Sequence, residues 1–132
     1  MELTVSQEQG RVPVTVLNVK GNVDSTTYQE FQARAEQLIA EGTQNLLVNL
    51  REVPYMSSAG LRSLNTIYNK LRGNVSQSAV TQGVTAGTYK SPHFKLLAPS
   101  SRVLETLKMS GFDMFLDIQS DLPTAVASFL NE

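Results

Sequence analysis

A chain of 132 residues has room for one hydrophobic core and not for two. Hydrophobic residues make up 41% and charged residues 17%, an ordinary globular balance, and eleven basic against twelve acidic side chains leave a net charge of -1. That balance supplies no basic field for nucleic acid, the lack of cysteine excludes disulfides and thiolate metal sites, and no apolar run approaches the roughly 20 residues of a membrane helix.

The start, MELTVSQEQGRV, has neither a basic head nor an apolar stretch of the kind that directs secretion, so the sequence predicts a cytoplasmic protein. LTVSQ and VPVTVLNVKG alternate and are rich in β-branched residues, which predicts a hairpin turning near Gln9 and Gly10 and ending at Gly21. NVDSTTYQEFQARAEQLIAEG then carries Tyr28, Phe31, Ala35, Leu38 and Ile39 at helical spacing, with Ser25 or Thr26 as cap and Gly42 as stop. NLLVNL, Asn45 to Leu50, is nearly continuous in apolar residues, as central strands are.

The loop REVPYM follows, with Val53, Tyr55 and Met56 expected to anchor it. SAGLRSLNTIYNKLRG forms a second predicted helix. Its residues Leu61, Leu64, Tyr68 and Leu71 share one face, Arg62, Asn65, Asn69 and Arg72 lie elsewhere, and Gly73 closes it. The uncharged stretch Asn74 to Tyr89, NVSQSAVTQGVTAGTY, has no helical period. It defines a loop or insertion at about 74–91, either a partner-contacting loop or a tolerated insertion.

HFKLLA reads as a strand, APSSRVLETLKMSGF as a helix capped near Ser100 and stopped by Gly111, and FLDI as a last strand. DLPTAVASFLNE ends the chain as a helix, with Asp121 as cap and Pro123 in the first turn, where its missing N–H costs nothing. The order β-β-α-β-α-β-α-β-α predicts an α/β fold: a mixed, mostly parallel sheet after an N-terminal hairpin, with helices packed against it.

One stretch, MSSAGL, carries chemistry. Ser57 is placed to cap the second helix, its hydroxyl accepting from free N–H groups of the next turn. Ser58 falls at the first helical position and points outward, while Ala59 and Gly60 keep the surroundings bare enough for another backbone to approach. A helix N-terminus tolerates an anion, so a phosphate on Ser58 leaves its carrier folded and adds roughly 1.5 to 2 negative charges to whatever docks there. The plainer alternative is a pair of serines that merely cap a helix. A hydrolase reading fails on detail, because MSSAG lacks the Gly-x-Ser-x-Gly elbow and the single histidine, His93, reads as the start of a strand. No phosphate-binding Gly-x-x-x-x-Gly-Lys-Ser/Thr loop is present, so the chain does not hold ATP by that means and reads as a substrate more than as an enzyme.

NLLVNLREVPYMSSAGLRSLNTIYNKLR resembles the central motif of STAS domains, the fold of bacterial anti-sigma factor antagonists. There a buried strand leads through a hydrophobic-aromatic loop into Asp-Ser-Ser/Ala-Gly-Leu or a close variant. KGNVDSTTYQEF resembles the family's Gly-x-apolar-Asp segment, and LLAPSSRVLETLKMSGFDMFLDIQSDLPTAVASF its last strand-helix-strand-helix, so the resemblance covers nearly everything but 74–89. It implies a single STAS domain over 1–132 and a phosphoprotein of transcription regulation that works by partner switching. Ser58 matches the position that a GHKL-type serine kinase, itself the anti-sigma factor, modifies using ATP; a PP2C-type phosphatase resets it. Ser57 stands where many members have Asp, which makes it the second candidate for modification.

By the same resemblance the partner-binding residues are Ser57, Ser58, Ala59, Gly60, Leu61 and Arg62, with Asp24 and Ser25 on the adjoining loop. Arg62 is suited to a phosphate or a partner carboxylate, or else is a solvated helix arginine; Asp24 equally suits a turn or cap. No cofactor, metal, direct nucleic-acid contact or membrane insertion is expected, and the oligomeric state is left open. The family also contains scaffold subunits of stress-sensing assemblies and partners of lipid-transport ATPases, which lack a phospho-switch and form the alternative.

Overall fold

A computed structural model describes residues 1–72 and 92–129 of the chain. Strand β1 (Glu2–Gln9) pairs antiparallel with β2 (Pro13–Lys20), in a register that sets Val5 opposite Leu17 and Gln9 opposite Pro13. Helix α1 (Tyr28–Ala40) leads to β3 (Leu46–Glu52), α2 (Ser58–Arg72) to β4 (Phe94–Leu97), and α3 (Ser101–Met109) to β5 (Asp117–Gln119). Helix α4 (Leu122–Ser128) follows. The sheet order is β1-β2-β3-β4-β5, and every pairing after the hairpin is parallel. This is the predicted α/β order. The expected insertion at 74–91 and the Gly73 stop lie outside the described residues.

Alternation along the strands divides the apolar residues between two faces. Leu17, Val48, Phe94 and Leu96 join Phe31, Leu38, Leu64, Ile67, Val103 and Leu107 in one core, so α1, α2 and α3 cover a single side. Val14, Val16, Leu47 and Leu97 face the other way and meet Ala125, Val126 and Phe129 of the C-terminal segment. Lys95 also turns to that side. Its ammonium, buried at 7% exposure, reaches Asp117 at 3.1 Å and both the carbonyl and the hydroxyl of Ser128 at 3.0 Å, with the Phe129 ring 5.0 Å away.

The helix ends follow local chemistry. Gly42, at φ +107°, closes α1: its N–H reaches the Ile39 carbonyl at 3.0 Å and the Thr43 N–H reaches Leu38 at 3.1 Å, the paired bonds of a Schellman ending. Ser100 caps α3 by accepting from the Val103 N–H at 3.2 Å, and Asp121 caps α4 by accepting from Thr124 at 3.0 Å. At the start of α1 neither Ser25 nor Thr26 is the cap. Thr27 holds that position and makes no side-chain cap bond, because Asp24 just upstream already organises the turn. A short 3-10 turn, Phe112–Met114, precedes β5; the Phe112 ring meets Phe115 edge to face, and Phe115 in turn meets Tyr68 of α2.

In a parallel sheet the strand ends and the helix starts gather at one edge. Three connections therefore meet there: 21–27 before α1, 53–57 before α2, and 98–100 before α3.

Candidate functional site

The middle connection is stitched to its neighbour. Gly21 donates to Glu52 at 3.0 Å, Val23 to Tyr55 at 3.0 Å, and Ser57 to the Val23 carbonyl at 2.9 Å, so Val23 and Met56 form an isolated parallel bridge beyond the sheet proper. Val53, Met56 and Val23 are buried. Tyr55 is not: contrary to expectation it does not anchor the loop inward, since its two flanking apolar residues already fill the core and its ring is left 37% exposed. The Arg102 guanidinium, in the first turn of α3, lies 4.9 Å from that ring's centre.

Helix α2 opens beside this bridge. Ser57 is half-buried and its hydroxyl accepts from the Gly60 N–H at a long 3.5 Å, while its carbonyl accepts from Leu61 at 3.0 Å. Ser58 is the first helical residue and is exposed. Its N–H and that of Ala59 meet no acceptor among the described residues, which leaves a local excess of positive charge around the Ser58 hydroxyl. Arg62, one turn on, is exposed; Leu61 is half-buried against the main core.

Ala59 and Gly60 differ from the expectation of a bare outer surface. Ala59 is 5% exposed, and a Cβ at Gly60 would stand 2.7 Å from Met56 Cγ and 2.9 Å from the Val23 carbonyl oxygen. The backbone that comes close is the chain's own. Gly60 thus seats α2 on the 21–27 connection, and the exposed residues at this edge include Ser58, Arg62, Tyr55 and Arg102, together with Glu52 and Pro54 and, on the neighbouring loop, Asn22, Ser25 and Thr26.

The sequence profile of the STAS domain matches residues 5–82, more than half of the chain. This chain belongs to the STAS domain family. Solved structures place the rest of the fold beside the family's. An anti-sigma factor antagonist from Mycobacterium paratuberculosis superposes with a TM-score of 0.72 at 19% identity, over 97% of this chain and 94% of that one. The Bacillus cell fate determinant SpoIIAA in its phosphorylated form gives 0.61 at 16%, over 95% and 96%. SpoIIAA in its unphosphorylated form gives 0.59 at 14%, over 93% and 92%. At these identities the likeness is one of fold. No curated protein matches the sequence significantly.

Within this STAS domain Asp24 is committed to its own turn. Its Oδ1 accepts from the Thr26 N–H at 2.9 Å and the Thr26 hydroxyl at 2.7 Å, while its carbonyl accepts from Tyr28 at 2.9 Å. The Thr27 hydroxyl gives its one proton to the Asn22 carbonyl at 2.7 Å and receives from the Asp24 N–H at 3.0 Å. The hydrogen bonds from Thr26, side chain first and then backbone, hold the Asp24 carboxyl below the ordinary aspartate range. Ser63, buried in α2, donates to the Tyr28 carbonyl at 3.5 Å and links the two helix starts.

His93 lies elsewhere. Its Nδ1 is 2.8 Å from the Asn45 Oδ1 at the opposite end of the strands, where β3 and β4 begin, so the one histidine and the two serines are not brought together. Sequence reasoning missed Arg102 and the outward course of Tyr55. The only signal for them was an apolar loop with three large residues, Val53, Tyr55 and Met56, too many for one strand exit to bury.

Proposed function

We propose that this STAS domain is an anti-sigma factor antagonist that acts by partner switching. Unphosphorylated, it binds an anti-sigma factor that is also a GHKL-type serine kinase and so frees the sigma factor; phosphorylated on Ser58, it is released, and a PP2C-type phosphatase restores it. The setting is the cytoplasm, in transcription regulation. The observation that carries this reading is the contrast between adjacent hydroxyls: Ser57 turns in to the Gly60 N–H, whereas Ser58 stands exposed at the first position of α2. Two further facts support it. The Mycobacterium protein of this fold is named an anti-sigma factor antagonist, and SpoIIAA is known in both unphosphorylated and phosphorylated forms.

The docking surface comprises Ser57, Ser58, Leu61 and Arg62 of α2 with Asp24 and Ser25 of the neighbouring loop; Ala59 and Gly60 contribute by holding that surface in place. A phosphate on Ser58 sits among N–H donors at a helix start, where the carrier accepts it, and its charge opposes any carboxylate that a partner brings to Arg62. The departure from the family's common Asp at position 57 replaces a carboxylate with a hydroxyl that already has a structural task, which favours Ser58 as the acceptor.

The test is mass spectrometry of wild type and Ser58→Ala after incubation with ATP and the GHKL-type kinases of the same genome. Wild type is expected to gain one phosphate and the variant none. Equal uptake by both would remove Ser58 from the mechanism, and an unmodified wild type that still binds its partner would establish the scaffold alternative.

A further inference from the structure

We infer that the docking surface extends past α2 onto the first turn of α3, where Tyr55 and Arg102 form a platform for an acidic segment of the partner. The inference rests on the antagonist reading and names the partner chemistry that reading leaves open.

Tyr55 is one of three large hydrophobic residues exposed among the described residues; the others, Met109 at 82% and Met114 at 75%, lie at the far end of α3 and in the turn beyond it. The Tyr55 backbone is fixed by the bond from Val23, and its ring is braced by Arg102 at 4.9 Å, so little freedom remains for binding to remove. Tyrosine and arginine are, with tryptophan, the residue types enriched at the energetic centres of protein interfaces.

Charge supplies the chemistry of the occupant. Neither Arg62 nor Arg102 has a carboxylate partner among the described residues; Arg11, Arg34, Arg51 and Lys108 share that property, and what sets the two apart is their place near the starts of α2 and α3. Asp24, on the adjoining loop, is turned to Thr26, whose neutral donors orient its carboxylate but leave its negative charge in place. Both arginines also lie in the opening turns of their helices, whose dipoles add to the same sign. The starts of α2 and α3 thus present two cations with no carboxylate partner among the described residues, and these complement carboxylates on a partner. A phosphate of roughly −1.5 to −2 charge on Ser58 cancels these two cations. Release is then an electrostatic event as well as a steric one.

The experiment measures binding of the purified kinase, identified by its phosphorylation of the wild-type chain, in the absence of ATP. Arg102→Glu and Tyr55→Ala are expected to weaken binding at least about tenfold each, the loss typical of an interface anchor, while Met109→Ala binds as wild type. Arg102→Gln is expected to flatten the fall of affinity with rising salt. Urea midpoints of all four variants report on folding, and Arg102→Gln, on an exposed side chain, keeps the question open to an answer if Tyr55→Ala unfolds. If Arg102→Glu and Arg102→Gln bind as wild type while Ser58→Asp abolishes binding, the surface stops at α2 and the antagonist reading stands. If Ser58→Asp binds as wild type, or no GHKL-type kinase of the genome binds or modifies the chain, the reading fails and this inference with it.

Discussion

An added methyl group at Gly60 meets two kinds of neighbour. Met56 Cγ belongs to a flexible side chain that can yield, but the Val23 carbonyl oxygen, 2.9 Å away, is backbone held by the Ser57 N–H. Gly60→Ala therefore has to lift the start of α2 from the 21–27 connection, and overpacking of this sort costs about 1–3 kcal/mol. Urea denaturation gives the magnitude, and backbone amide shifts of Val23 and Ser57 show where the strain goes. Asp24 gives a second prediction at this scale. Because its folded pKa is depressed, the stability it contributes is present above the unfolded value of about 3.9 and is lost as pH falls through the folded one. The protection of the Thr26 and Tyr28 amides, measured against their intrinsic exchange rates at each pH, is expected to fall on acidification in that window, and Asp24→Asn to remove most of that change. The outward placement of Ser58 was readable because position and helix phase are matters of counting. Tyr55 was not, since which of three apolar loop residues stays outside depends on the volume left by Val23, a residue 32 places earlier and invisible to local pattern.

Among the elements, the strands and helices with strong periodicity were legible: β3 from its unbroken apolar run, α2 from its stripe, α3 and α4 from Ser100 and Asp121. Ends that depend on side-chain competition were not. Ser25 and Thr26 are good cap types, yet Asp24 outbids them by accepting two bonds in a tight turn, and α1 begins later. The 3-10 turn before β5 was missed because three residues carry no period. The fixing of α4 to the second sheet face by Lys95 was also hidden, since a lysine in a strand of sequence FKLL reads as an outward residue. With three acceptors around one buried ammonium, Lys95→Ala is expected to cost about 2–3 kcal/mol, in the range for charged hydrogen bonds, and to loosen α4 before the rest. Hydrogen exchange of Ala125 and Val126 measures that loosening. Lys95→Met, which keeps the packing on Phe129 but leaves Asp117 without its cation, should lose less than the alanine variant.

For the molecule as a whole, the division of labour between the two ends of the sheet matters most. The parallel strands send the starts of α1, α2 and α3 to one edge, while the His93–Asn45 contact and the last residue of α2 mark the other. Ser58→Asp at that first edge is expected to leave the thermal midpoint within a few degrees of wild type, since a charge at a helix start contributes only about 0.3–1 kcal/mol, and of a favourable sign. Its effect on the partner complex should be far larger. Calorimetry and binding on the same sample compare the two directly, and a collapse of the midpoint would mean that the acidic group acts on the fold and not on docking.

The three backbone bonds that tie 21–23 to 52–57 carry a kinetic implication. A surface stitched in that way has no slow rearrangement to complete before contact, so encounter should follow a single exponential whose rate rises linearly with partner concentration. On the proposed reading, the kinase that docks there meets a ready-made shape, and the lifetime of the complex, not the readiness of the loop, would set how long the signal lasts.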